Sequence, residues 1–325
     1  MIFNRVWAGW LKSWNSFERL VDWYFIGDTW KLYQSATDVE VVESQPRDVT
    51  PVAERPAATA TLSLDLTPVT EFLGSLAQNY PYKEDGTSSV RLVCIASGTV
   101  SKDFQFPESN EDAFAWDELN QRAAVFDGAT ESFAAKRWVA LVRDAWLADK
   151  STWLDDAQRA YEDSIQDLNL SWAQSEAAER GSHTTIVSVE SQSMGLVVTT
   201  VGDSCVFLLD GDRIIGTAPY TSQGEFFASP RALSTRRQDR NTVFQQESTF
   251  ILPAEIVAGK QLLLATDALS QWLLIAQPQE RLQRLIDALN SNELEELVRH
   301  ERASGDMKTD DTTALLLDVT SGEAP

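Results

Sequence analysis

Residues 110–132 read NEDAFAWDELNQRAAVFDGATES. An acidic pair, Glu111 and Asp112, is followed by a short apolar run, 123–126, that stops abruptly at Asp127-Gly128. An apolar run ending in a carboxylate predicts a buried strand that delivers an acid to a sheet edge. The polar residues Ala129-Thr130-Glu131-Ser132 follow, and a helical pattern begins after them. Taken alone, the stretch is equally an ordinary strand–turn–helix junction with an acidic turn residue. The decision comes from residues far downstream.

Bulk properties narrow the chemistry first. A chain of 325 residues has room for one large domain or two smaller ones, and 43% hydrophobic with 23% charged residues suits a soluble chain with a real core. The formal net charge of -22 repels nucleic acid and anionic membrane surfaces, so no nucleic-acid partner is expected, whereas divalent cations are drawn in. Both cysteines, Cys94 and Cys205, sit in apolar runs and read as buried thiols, with neither zinc spacing nor a disulfide framework. That composition fits a reducing cytoplasm. Only two histidines exist, His183 and His300, which excludes an imidazole-rich zinc site. Neither has a nucleophile in an elbow-like context nearby, so any catalysis is expected to use carboxylates.

Outward from the opening stretch, strand patterns occupy 90–95, 184–190, 195–201, 204–209, 213–216, 261–266 and 312–319. Helical patterns occupy 133–147, continue with breaks to about residue 179, and recur at 269–275 and 278–301. Asp210-Gly211 signals a hairpin, and 221–240 reads as a polar loop region. Strands first, helices inserted and strands last predict an α+β domain over 85–325, with sheets sandwiched between helix layers. Residues 1–40 form a separate region. Phe3, Trp7, Trp10, Trp14, Phe17, Val21 and Tyr24 recur at helical spacing, so an aromatic amphipathic helix is expected. It lacks the apolar core of a signal peptide and is too polar to span a bilayer. Such a helix either packs on the chain's own domain or docks a partner, and the acidity of the chain weighs against a membrane surface. Residues 41–84, with Pro46, Pro51 and Pro56 and a short amphipathic piece at 67–78, read as a linker.

Three strand patterns share one feature: 123–126 runs into Asp127, 262–266 runs into Asp267, and the last strand emerges from Asp310. Acids are poor strand residues and costly to bury unpaired, so several at strand rims point to a cation that neutralises them together. Hard ions such as Mg²⁺ and Mn²⁺ take oxygen ligands. VFDGATES (125–132), VVTTVGDSCVF (197–207), LLLATDALSQWL (262–273) and KTDDTTALLLDV (308–319) then resemble, in order, the motifs of metal-dependent protein serine/threonine phosphatases of the type-2C family. The likeness extends over about 85–319, and it is to a divergent bacterial-like branch with a DGATES motif.

This resemblance implies two antiparallel sheets between helix layers and hydrolysis of phosphoserine or phosphothreonine in proteins, by in-line attack of a water held between two Mn²⁺ or Mg²⁺ ions. It implies Asp127 as the ligand shared by both ions, the Gly128 carbonyl on one, and Glu111, Asp267 and Asp310 on the other. Asp112 would orient the attacking water, and Asp203 resembles a residue that helps to hold an additional, looser ion, or is a plain hairpin acid. The chain departs from the pattern at Ala129, where many members have a histidine, at Ala268 and Asp311, and at Pro107 in place of a phosphate-binding arginine. Lys102 is the nearest upstream cation and would act as a point charge, or is a solvated loop lysine. The implied partners are a phosphoprotein substrate and a cognate serine/threonine kinase. The alternative is a weakly active or inactive phosphatase-fold protein that binds phosphorylated partners or scaffolds a kinase.

Overall fold

The computed structural model describes residues 23–26, 29–32, 90–129, 132–148, 151–166, 168–193, 195–227, 230–237, 248–275 and 278–322. The chain divides into two compact units, Met1–Ser63 and Leu64–Pro325. In the first, β1 (Trp23–Ile26) pairs antiparallel with β2 (Thr29–Leu32), Ile26 facing Thr29. The helical stripe expected to end at Tyr24 therefore meets a strand there. Trp-Tyr-Phe-Ile is a strongly strand-favouring run, and the intervening Gly27-Asp28 is a dipeptide that two-residue hairpins favour. The rest of that stripe, and the linker with its short helix, lie outside the described residues.

Two antiparallel sheets build the second unit. One has the order β3 (Val90–Val100), β13 (Thr312–Ser321), β12 (Lys260–Ala265), β8 (Cys205–Asp210), β9 (Arg213–Ala218). The other runs β11 (Ser248–Pro253), β7 (Gly195–Val201), β6 (His183–Gln192), β5 (Arg122–Gly128), β4 (Ala113–Asp117), with the short β10 (Leu233–Ser234) also on β6. Period-two alternation explains the layering. Leu262, Leu264, Leu315 and Leu317 point between the sheets, where they meet Ala123, Val125, Val187 and Val198. Leu263 and Leu316 point the other way, into a core with Trp272, Leu282, Leu285, Leu289 and Val298. Ala124 and Phe126 point outward on the second sheet, against Trp138, Val142, Trp146 and Tyr161.

Helices supply both outer layers. On the second sheet lie α1 (Ala135–Leu147) and α2 (Trp153–Gln166), with α3 (Trp172–Arg180) leading into β6. Trp138, Val142 and Trp146 are spaced four apart, so α1 buries a single stripe. The short α4 (Ala254–Val257) follows β11, and α5 (Asp267–Leu273), α6 (Pro278–Ser291) and α7 (Leu294–Ser304) cover the first sheet. The expected α+β sandwich of two antiparallel sheets between helix layers is met. Two readings are corrected. The pattern at 278–301 is two helices, broken where Asn292 takes a φ of 59°. The strand expected at 90–95 continues to Val100 because 96–100 pair with 312–316 along β13. Among the described residues, no helix is long and apolar enough to cross a membrane.

Candidate metal centre

Strand register brings the acidic residues to one rim. In the first sheet Ala265 faces both Ala314 and Cys205, and Thr312 faces Val100. The segments leaving β12 at Thr266-Asp267 and entering β13 at Asp310-Asp311 therefore lie side by side, next to Ser101-Lys102 after β3. In the second sheet Ala113 faces Phe126, Asp127 faces Thr185 and Ile186 faces Val201. The acidic pair before β4 and Asp127 are thus brought to a single end. The turn Gly202-Asp203-Ser204 joins β7 to β8 and so passes from one sheet to the other at this same rim, where Ser204 Oγ lies 2.7 Å from Thr185 Oγ1.

Backbone crowding holds the pieces close. A side chain at 128 would bring its first carbon within 2.7 Å of the Glu111 carbonyl oxygen, so glycine is what allows the end of β5 to lie against the acidic pair. Gly202 has a φ of +101°, and a side chain there would come within 2.4 Å of Thr185 Cγ2. Both glycines serve the placement of an adjacent aspartate.

The side chains then converge. One carboxylate oxygen from each of Asp127, Asp203 and Asp267 lies within 4.8 Å of the others. Asp112 accepts a hydrogen bond at Oδ2 from Thr266 Oγ1, 2.9 Å away. Thr266 in turn receives the Thr313 N–H at Oγ1, 2.9 Å away, which ties β12 to β13 beside the centre. Asp310 lies 3.1 Å from Lys308 Nζ, and the same ammonium contacts Asp267 Oδ2. Glu111 stands apart from the group of three: its Oε2 is 2.6 Å from Lys102 Nζ. Lys102, expected as a phosphate contact, is here the partner of Glu111 and lies 3.8 Å from Asp311.

Two residues with a part in this geometry, Arg302 and Lys308, were not singled out from the sequence, and Asp311 figured there only as a departure from the motif. Asp311, 3% exposed, accepts the backbone N–H groups of Lys102 (2.6 Å) and Glu111 (2.8 Å), so it straps the segment before β4 to the start of β13. Arg302, on α7, donates to the carbonyls of Ser101 (3.0 Å) and Asp310 and to Thr312 Oγ1 (3.0 Å). Lys308 bridges two acids. The only sequence signal for these is a clustering of charge around 302–311, which is indistinguishable from a solvated turn until the strands are paired.

Electrostatics mark the rim as a place where negative charge outweighs positive. Burial, together with the charges of Asp267, Asp112, Asp203 and Asp310, holds the Asp127 carboxyl well above the usual range. Burial and Asp311 do the same to Asp112, against the hydrogen bonds from Thr266 and Thr313. Asp203 is pushed up to about 7 by burial and Asp267, with Lys308 opposing. Burial raises Asp267 as well, in spite of Lys308. Among the described residues, Asp112 Oδ1 and Asp267 Oδ1 are buried with no hydrogen-bond partner. Unpartnered carboxylate oxygens in an all-oxygen donor set fit a hard divalent cation such as Mn²⁺ or Mg²⁺.

No protein-family model and no curated protein matches this chain. Solved structures do resemble it. A bacterial serine phosphatase is similar at a TM-score of 0.47 and 16% identity, covering 73% of this chain and 99% of that one. The catalytic domain of the serine threonine protein phosphatase PstP, in complex with two manganese ions, is similar at 0.43 and 17%, covering 72% and 100%. PppA of Pseudomonas aeruginosa, a regulatory component of a type VI secretion system, is similar at 0.43 and 16%, covering 72% and 99%. With scores of this size, the chemistry of the rim has to be read from its own atoms.

Proposed function

We propose that this chain is a metal-dependent phosphatase acting on phosphoserine or phosphothreonine in proteins. The observation that carries the metal is the convergence of Asp127, Asp203 and Asp267 within 4.8 Å, beside two buried, unpartnered carboxylate oxygens. The substrate class comes from the motif resemblance at 125–132, 197–207, 262–273 and 308–319. Asp127, Asp203, Asp267 and Asp310, with Glu111 and the Gly128 carbonyl, would hold Mn²⁺ or Mg²⁺. Bound ions supply Lewis-acid charge to a phosphoryl group and lower the pKa of an attacking water.

The chain's own groups have separate tasks in this reading. Thr266 fixes one oxygen of Asp112, which leaves Oδ1 as the atom that orients a water. Lys102 holds Glu111 in place and, released to a phosphoryl oxygen, offers a point charge without bidentate geometry. Ala129 cannot protonate a leaving alkoxide, so that proton comes from solvent and turnover is modest. The phosphoprotein partner, a cognate kinase and a cytoplasmic setting belong to the same proposal.

A second reading, a binding or scaffolding protein with little or no turnover, is favoured by one observation: Lys102 and Lys308 are ion-paired with Glu111, Asp267 and Asp310, all of them in the ligand set. A phosphothreonine peptide assay with and without Mn²⁺ separates the two. Metal-stimulated release of phosphate, absent in Asp127→Asn, supports the enzyme; no turnover above that variant sinks it. Retained phosphopeptide binding in the inactive chain then favours the scaffold.

A further inference from the structure

Lys308 stands two residues before Asp310, in the turn that leads into β13. Its ammonium lies 3.1 Å from Asp310 Oδ2 and contacts Asp267 Oδ2, so it joins acids that flank the ends of two neighbouring strands, β12 and β13. The other oxygen of Asp267, Oδ1, is buried without a hydrogen-bond partner. The lysine side chain is 38% exposed, against 13% for Asp267, so the ammonium reaches the carboxylates from the solvent side. We propose that Lys308 is a tethered counter-ion that competes with a divalent cation for Asp267 and Asp310 and so sets the metal affinity of the centre. This rests on the metal-dependent reading above.

The physical basis is like-charge exclusion at shared ligands. Without metal, five carboxylates (Asp112, Asp127, Asp203, Asp267 and Asp310) crowd one rim, and Lys308 offsets the repulsion between two of them. An arriving divalent ion draws on the same two carboxylates, and a positive charge held in contact with them opposes it. Like-charge repulsion drives the lysine outward as the ion binds, and its four-carbon stem allows that. Lys308 is a positioning residue: it holds the ligands before loading and weakens the loaded state.

Mn²⁺ binding to the full chain is measured by calorimetry and by the spin resonance of free Mn²⁺, at fixed pH and ionic strength, for the natural protein, K308M and K308R. K308M is expected to bind Mn²⁺ more tightly by roughly tenfold, and to melt at a lower temperature when metal-free. K308R keeps the natural behaviour on both counts. A merely structural lysine would, when removed, weaken binding, so equal or weaker affinity in K308M overturns the proposal. If K308M does not fold without metal, labelling of Lys308 in the natural protein by an amine-reactive reagent is followed through a Mn²⁺ titration. Labelling that rises with occupancy supports the proposal, and constant labelling overturns it. Natural protein that binds no Mn²⁺ overturns the metal reading as well, whereas binding that K308M leaves unmoved overturns only the role of Lys308.

Discussion

Asp127 and Gly128 show how much depends on two adjacent residues. The aspartate closes a strand whose preceding four residues are fully buried, and the glycine lets Glu111 approach to a distance that no side chain would permit. Gly128→Ala is therefore expected to push the Glu111 backbone away, costing about 1–3 kcal/mol in urea denaturation and weakening Mn²⁺ binding. Natural stability and affinity in that variant would contradict the packing described. Asp112 makes a different prediction. Asp112→Asn keeps the shape and the Thr266 contact but removes the charge proposed to orient a water. Steady-state kinetics on a phosphothreonine peptide should show turnover reduced by roughly a hundredfold or more, with Mn²⁺ affinity altered far less. An equal fall in both would make Asp112 a ligand instead.

The turn between β7 and β8, and the C-terminal end of α7, act at the scale of elements. The turn carries the chain from one sheet to the other and delivers Asp203 on the way, which requires a left-handed residue at 202. Gly202→Ala is expected to lose about 1–3 kcal/mol from backbone strain alone, with more from the contact with Thr185. Thermal melting with and without Mn²⁺ reads both the loss and its effect on the centre. Arg302 joins α7 to the segments on either side of the acids. Arg302→Met keeps an apolar stem but removes the guanidinium, which lies 5.1 Å from the Phe104 ring centroid, and leaves carbonyls without donors, each costing about 1–3 kcal/mol if water does not replace it. A hydrogen-exchange measurement should show the loop after β3 and the entry to β13 losing protection together. Independent behaviour of the two segments would deny the strap.

Across the whole molecule, a formal charge of -22 is concentrated in part at a rim that raises its own carboxyl groups. The sign of the pH effect follows. Asp203 sits at about 7 in the folded chain against an ordinary 3.8, so between those values the folded state holds a proton that the unfolded state has released. Asp112, Asp127 and Asp267 shift in the same direction. Stability of the metal-free protein should therefore fall as the pH rises from about 4 to about 7. The raised Lys308 adds nothing in this window, because its ordinary value is 10.5. In the proposed reading Mn²⁺ binds the deprotonated groups, so saturating metal should stabilise more at pH 8 than at pH 5 and flatten or reverse the trend. Melting curves in chelator and in Mn²⁺ test this; a metal-free melting temperature that climbs between pH 5 and pH 7 would refute it.

The strands that carry the centre were legible because each is a continuous apolar run that must be buried on both faces and stops at a carboxylate, as at Phe126-Asp127 and Ala265-Thr266-Asp267. The helical stripe of α1 was legible for a related reason: burial imposes a period that the order of the residues displays. Strands β4 and β11 were not, because at the edges of their sheet they bury little, Ala115 and Leu252 among their described residues, and so show no clear apolar run. The break between α6 and α7 depends on a local backbone turn at Asn292, and the strand at Tyr24 on its pairing with Lys31, both of which override periodicity. The pairing of Lys308 with Asp267 spans 41 positions, and that of Asp311 with the backbone of Lys102 and Glu111 spans 209 and 200. Sequence by itself determined which residues are acidic and which segments end beside them. Only the tertiary structure decided which charge meets which, since that depends on strand register across two sheets, and short-range electrostatics acts on distance, not on order along the chain.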